Sequence, residues 1–322
     1  MATLTHDTPA VTPVRSTRAG FAFAVLTAMT FGMSGTIAKG LLVTGWSPGA
    51  AVTARIALAA LVLAVPGLVV LRGRWHMLRD NARFVTMFGL VGVVGAQLAY
   101  FSAVERMQVG VALLIEFTAP AAVVFWLWVR HAQRPGLLTA AGGVTAGLGL
   151  VLVLDLLSGA DLDPVGVVWA LLAMLGCATF FLMSAQQGNG LPPVVLASAS
   201  LVVGAVALLL AGAVGVLDLT WSTQPASYQG FEVPFWLPVV GLGVITCCVP
   251  YVAGIMAVRA LGARVASFTG LLEVLFALVF AWVALGELPR PVQFVGGAAI
   301  VLGVVLVKLG EPGRDSFIGP QG

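Results

Sequence analysis

Along this chain, polar and charged positions gather in short clusters that separate apolar stretches of about twenty residues. That is the length needed to cross a ~30 Å hydrocarbon core as a helix rising ~1.5 Å per residue. The stretches fall at 19–41, 48–71, 84–104, 108–129, 136–157, 164–185, 193–217, 234–257, 265–286 and 290–309. Turn signals such as Trp46-Ser47-Pro48, Arg134-Pro135-Gly136, Asp163-Pro164, Pro192-Pro193 and Glu287-Leu288-Pro289 stand between them. The pattern predicts an all-α integral membrane protein of ten transmembrane helices, with polar tails at 1–18 and 310–322. The first apolar run is too long for a signal-peptide core and reads as a retained helix.

Composition excludes a soluble domain: 60% of the 322 residues are hydrophobic and 9% charged, against about 25% charged in soluble globular proteins. The net charge of +3 implies no nucleic-acid partner, because the basic excess lies in the short connections, where it reports topology. With the N-terminus in the cytoplasm, the inner set is Arg15, Arg18, Arg72, Arg74, Arg79, Arg83, Arg130, Arg134, Arg259, Arg264, Lys308 and Arg314. The outer set is Lys39, Arg106 and Arg290, and Arg55 lies inside a span. This asymmetry predicts cytoplasmic N- and C-termini in a multi-pass protein of the cell membrane.

A shift of 154 residues lays the third-to-fifth spans on the eighth-to-tenth without a gap. Trp128-Val129 falls on Trp282-Val283, Pro135 on Pro289 and Gly142-Gly143 on Gly296-Gly297. The chain thus reads as two five-helix repeats, 19–157 and 164–309. Because five is odd, the second copy enters from the opposite side, giving inverted repeats. Secondary transporters of that architecture hold substrate at the midplane between the halves.

Two acids sit inside spans: Glu116 in Leu113-Leu114-Ile115-Glu116-Phe117-Thr118-Ala119-Pro120, and Glu273 in Leu271-Leu272-Glu273-Val274. An ionisable group at that depth costs roughly 2.5–3.5 kcal/mol on insertion scales, so it faces protein or water and is a functional candidate. Under the shift Glu116 falls on Gly270 and Glu273 on Ala119, one helical turn apart. Arg55 and Lys39 share the outer half of the membrane with Glu116 and are its candidate partners. A static Arg55–Glu116 ion pair is the plainer alternative, and Lys39 can simply snorkel to the interface. Glu273 has no basic residue at its own depth in the sequence reading, which makes it the candidate for carrying a coupling proton.

Gln97, Tyr100, Thr118, Tyr251 and Thr269 are polar groups in the repeat-bearing spans, either cavity-facing or bonded between helices. Glu287 and Arg290 read as a solvated connection. Trp126, Trp128 and Trp282 suit an interfacial belt. Gly143-x-x-x-Gly147 and Ala299-x-x-x-Gly303 are patterns for close helix approach within one molecule. Cys177, Cys247 and Cys248 read as packing residues without metal-ligand spacing. The three histidines, His6, His76 and His131, form no cluster, and no phosphate-cradling loop or nucleophile elbow occurs. No enzyme activity and no cofactor is expected.

The segments Gly262-Ala263-Arg264-Val265-Ala266-Ser267, Leu271-Leu272-Glu273-Val274, Leu285-Gly286-Glu287 and Gln293-Phe294-Val295-Gly296-Gly297 resemble the second-repeat signature of the EamA-type drug/metabolite transporter superfamily. The first-repeat stretch from Leu114 to Pro120 is similar to the threonine/homoserine exporter branch. Val274 stands where the family usually has proline, and Ala132-Gln133 stands opposite Gly286-Glu287. The resemblance implies a permease exporting a small polar metabolite, foremost an amino acid such as threonine or homoserine, by alternating access. Its partners would be that substrate, the bilayer and protons as coupling ion, in a monomer or homodimer. The alternatives are a channel-like or scramblase-like protein, or a permease for another drug or metabolite.

Overall fold

The computed structural model describes residues 17–104, 106, 109–153, 163–228, 231–286 and 290–310. In chain order the helices are α1 (Thr17–Leu42), α2 (Pro48–Leu71), α3 (Trp75–Asp80), α4 (Ala82–Met87), α5 (Ala96–Val104), α6 (Val109–Glu116), α7 (Ala119–His131), α8 (Leu137–Val153), α9 (Pro164–Ser184), α10 (Pro193–Ala213), α11 (Trp236–Val240), α12 (Val249–Leu261), α13 (Ala263–Gly270), α14 (Leu272–Leu285) and α15 (Pro291–Gly310). π-helical stretches at Phe88–Gly95 and Gly241–Cys248 join α4 to α5 and α11 to α12. Helix starts follow their capping residues. Ser47 accepts the Ala50 N–H ahead of Pro48, and Asp163 accepts the Val165 N–H ahead of Pro164, each with proline in the first turn, where its missing N–H costs nothing.

Among the described residues, eight helical runs are long and apolar enough to cross a membrane. The fourth expected span differs, because it is split into α6 and α7 at Phe117–Thr118. Pro120 supplies the reason: it has no N–H for the carbonyl four residues back, that of Glu116, and its ring crowds that carbonyl. The corresponding break in the second repeat, between α13 and α14, forms without proline. There Leu271 N–H bonds the Phe268 carbonyl and Val274 N–H the Leu271 carbonyl, three-residue steps that tighten the helix at Gly270. The fifth expected span begins as α8, which runs to the limit of the described residues at Val153.

Helices that correspond between the repeats pack on one another in opposite directions. On α8 and α15, a Cβ at Gly142 would sit 2.6 Å from the Gly303 carbonyl oxygen, and one at Gly149 would sit 2.6 Å from that of Gly296, so residue numbers rise on one helix as they fall on the other. On α2 and α10, Gly67 meets Ser198 while Gly204 approaches Ile56, again antiparallel. α1 lies along α12 and α14, and its counterpart α9 lies along α5, α6 and α7. The two halves are therefore inverted about an axis between them. The small-residue seam is Gly142, Ala146 and Gly149 against Gly296 and Gly303. This corrects the Gly143-x-x-x-Gly147 expectation, since Gly147 faces open space and Gly143 faces the Phe268 ring.

The fold is not wholly helical. β1 (Ala226–Tyr228) pairs antiparallel with β2 (Phe231–Val233), Tyr228 opposite Phe231. This hairpin belongs to a strap that ties the second repeat to the first. Trp46 Nε1 donates to the Ser222 carbonyl (2.8 Å), Ser47 Oγ to that of Asp218 (2.8 Å) and Tyr228 Oη to that of Ile37 (2.9 Å). Burial pushes the Tyr228 phenol up to about 12, so it remains a donor at physiological pH.

Candidate functional site

The two helix breaks bring the intramembrane acids to one place. Glu116 ends α6 and Glu273 lies in the first turn of α14, both half-buried. They act electrostatically on each other and, together, on Tyr100 of α5 and Cys177 of α9. The second acid sits where a helix N-terminus favours negative charge.

Arg55 of α2 reaches across to the second repeat. It is 6% exposed, lies over the Phe31 ring at 5.5 Å to the centroid, and donates from Nη2 to the carbonyl of Thr246. Pro250 makes that carbonyl available, having no N–H to give four residues back. Arg55 lies within electrostatic range of Glu273, the second-repeat acid. The cause is that α1 bridges them: Phe31 carries the guanidinium, and the next residue, Gly32, lies against the Glu273 carbonyl, where a Cβ would approach to 2.9 Å. Depth counted along single spans could not reveal this crossing.

Gln97 Nε2 donates to Tyr251 Oη at 2.8 Å. The two residues are 154 positions apart, the repeat shift itself, so the bond lies on the axis relating the halves. The Tyr251 ring stands edge-on to Phe31 (5.6 Å) and Phe180 (5.7 Å). Gln97, Tyr100, Glu116, Tyr251, Glu273 and Arg55 thus form one connected cluster.

Three candidates lie outside it. Thr118 is exposed and donates to the Ile115 carbonyl, and Thr269 is buried and donates to the carbonyl of Ala266. Lys39 is exposed in the last turn of α1, and Glu287 lies outside the described residues. Phe31 and Phe180 are site neighbours that sequence reasoning did not name, and Cys177 and Cys247, read there as packing residues, also border the site. An apolar cavity of about 530 Å³ lies elsewhere, beneath the hairpin, lined by residues including Met33, Ile37, Tyr228, Phe231, Val244 and Phe280. Among the described residues no His, Cys, Asp and Glu cluster suits a metal.

Inverted halves that meet over paired acids at broken helices define a secondary-transporter scaffold. Comparison agrees: the model of the EamA-like transporter family matches residues 18–155 and again 164–309. The chain belongs to the EamA-like transporter family, of the drug/metabolite transporter superfamily, and is accordingly a multi-pass membrane transporter and not an enzyme. It is 26% identical over 270 residues to the threonine/homoserine exporter RhtA of Escherichia coli K12, covering 82% of this chain and 83% of that protein. It is 27% identical over 208 residues to an uncharacterised transporter of Archaeoglobus fulgidus, 65% of this chain and 70% of that one. A solved crystal structure, 19% identical, superposes with a TM-score of 0.74 over 91% of this chain and 98% of its own, which shows the fold.

Proposed function

We propose that this protein is an exporter of a small polar metabolite, foremost an amino acid such as threonine or homoserine, working by alternating access of its two halves. The observation that carries the reading is the pair of helix breaks, beside Glu116 in one repeat and Glu273 in the other, between inverted halves; the exporter among the relatives supplies the substrate class. Charged groups at this depth persist where they face each other or a polar cargo. Ten spans with both termini cytoplasmic complete the proposal. α8 supports the count by running along α15 from Thr139 beside Gly310 to Gly149 beside Gly296. The basic connections at Arg72, Arg74, Arg130 and Arg134 support the orientation.

Protons are the coupling ion in this reading. In this reading Glu116 carries the proton, and Glu273 is the alternative carrier. Counterflow of labelled threonine and homoserine into proteoliposomes tests the whole. Saturable exchange that unlabelled substrate competes away supports a permease, whereas flux without saturation makes the protein a channel or scramblase.

A further inference from the structure

Two buried polar atoms in the cluster have no hydrogen-bond partner among the described residues: Nε of Arg55 and Oε1 of Gln97. One is a cationic donor and the other an acceptor. An unmet polar atom in a buried setting carries its full desolvation cost, so each marks a place where a ligand group would be received. The two are joined by one aromatic wall, because Arg55 lies on Phe31, Phe31 packs edge-on against Tyr251, and Tyr251 holds Gln97. Phe180 closes the wall on the far side of Tyr251. Glu273 stands beside it, its backbone against Gly32 of α1.

A ligand matching this arrangement carries an acceptor-rich anion and a donor-rich cation on one small frame. We propose that the site clamps a zwitterionic α-amino acid: Arg55 Nε takes the carboxylate, and Gln97 Oε1 takes the ammonium. The proposal rests on the amino-acid reading above and deepens it by assigning the two ends. An uncharged polyol satisfies neither charge, and a cationic drug leaves the guanidinium without its anion. A zwitterion adds no net charge to the site, which matters where the surroundings are apolar. The aromatic wall has no charge of its own and leaves the α-carbon and side chain in contact with rings.

The test is competition in the threonine counterflow assay, with threoninol, which lacks the carboxylate, and N-acetyl-threonine, which lacks the ammonium. Wild-type protein should prefer threonine over each by about tenfold or more, the scale of one charge-assisted hydrogen bond. Arg55→Gln should erase the preference over threoninol while keeping that over N-acetyl-threonine, and Gln97→Leu should reduce the latter. Because each readout is a ratio of ligands on one preparation, partial misfolding does not produce it, and Arg55→Lys, which keeps the charge, should retain part of the carboxylate preference. If wild type exchanges threonine but threoninol competes equally, the clamp is wrong and the amino-acid reading stands. If no amino acid is exchanged while another metabolite is, both fall.

Discussion

Replacing Gly142 with alanine should press α8 away from α15. The new Cβ would sit 2.6 Å from the Gly303 carbonyl oxygen and 2.8 Å from the Val307 nitrogen. Both are backbone atoms that cannot rotate aside, so the helices must part from 2.6 Å to about 3.4 Å at that point, roughly the gap that forfeits a quarter to a half of the dispersion attraction along the separated strip. Overpacking of this kind costs about 1–3 kcal/mol. Gly149→Ala meets the same obstacle seven residues on, 2.6 Å from the Gly296 carbonyl and 2.7 Å from the Ile300 nitrogen. One outward shift relieves both, so the double variant should lose less than the sum of the singles. Gly147→Ala is the control on the same helix. Nothing lies within 4 Å of its Cβ, and helix propensity should make it neutral or stabilising by up to about 1 kcal/mol. Thermal unfolding of the three single variants and the double variant in detergent measures the difference. Equal stability of Gly142→Ala and Gly147→Ala would refute the seam.

At the equivalent helix ends of the two repeats, Ala132 and Gly286 both adopt left-handed backbone, φ 54° and 70°. Gly286→Ala should therefore cost about 1 kcal/mol, while Ala132→Gly should be neutral or stabilising, read by the same unfolding assay. In a double-mutant cycle, Arg55→Leu should couple more strongly to Glu273→Gln than to Glu116→Gln, by roughly 0.5–3 kcal/mol; equal coupling would contradict the placement of Arg55. Glu116→Gln should abolish substrate movement driven by an imposed pH gradient yet leave counterflow, and retention of the pH response would remove Glu116 as proton carrier. In a cysteine-free background, Ser227→Cys, exposed on the hairpin, should react with an impermeant thiol reagent from outside the cell and Asp80→Cys should not; the opposite result inverts the orientation.

Sequence periodicity located most spans within a few residues, because burial in lipid demands unbroken apolar runs and the connections concentrate proline and charge. The surroundings of Arg55 were not legible, since depth along a helix says nothing about which neighbour a side chain meets; Phe31 of α1 and the Thr246 carbonyl decide that. The break at Glu116 could have been read from Pro120, four residues on. Its partner at Gly270 had no such mark, with Val274 in the proline position. The Gln97–Tyr251 bond was within reach, for the 154-residue shift applied to Gln97 lands on Tyr251. What hid it is that the two residues are unlike, so no repeated letter pointed to the axis. The strap left only a weak trace, two three-residue strands.

That unlike pair on the axis bears on how such a chain is assembled. A residue on the twofold axis of a homodimer always meets its own copy, so two first halves would set Gln97 against Gln97 and two second halves Tyr251 against Tyr251. Joining the halves in one polypeptide removes that restriction. A carboxamide can then face a phenol, and an arginine on one half can serve an acid on the other without a matching set across the axis. The asymmetry of the centre is thus a product of covalent linkage. Halves made as separate chains would rebuild it only as a heterodimer, never from either half alone.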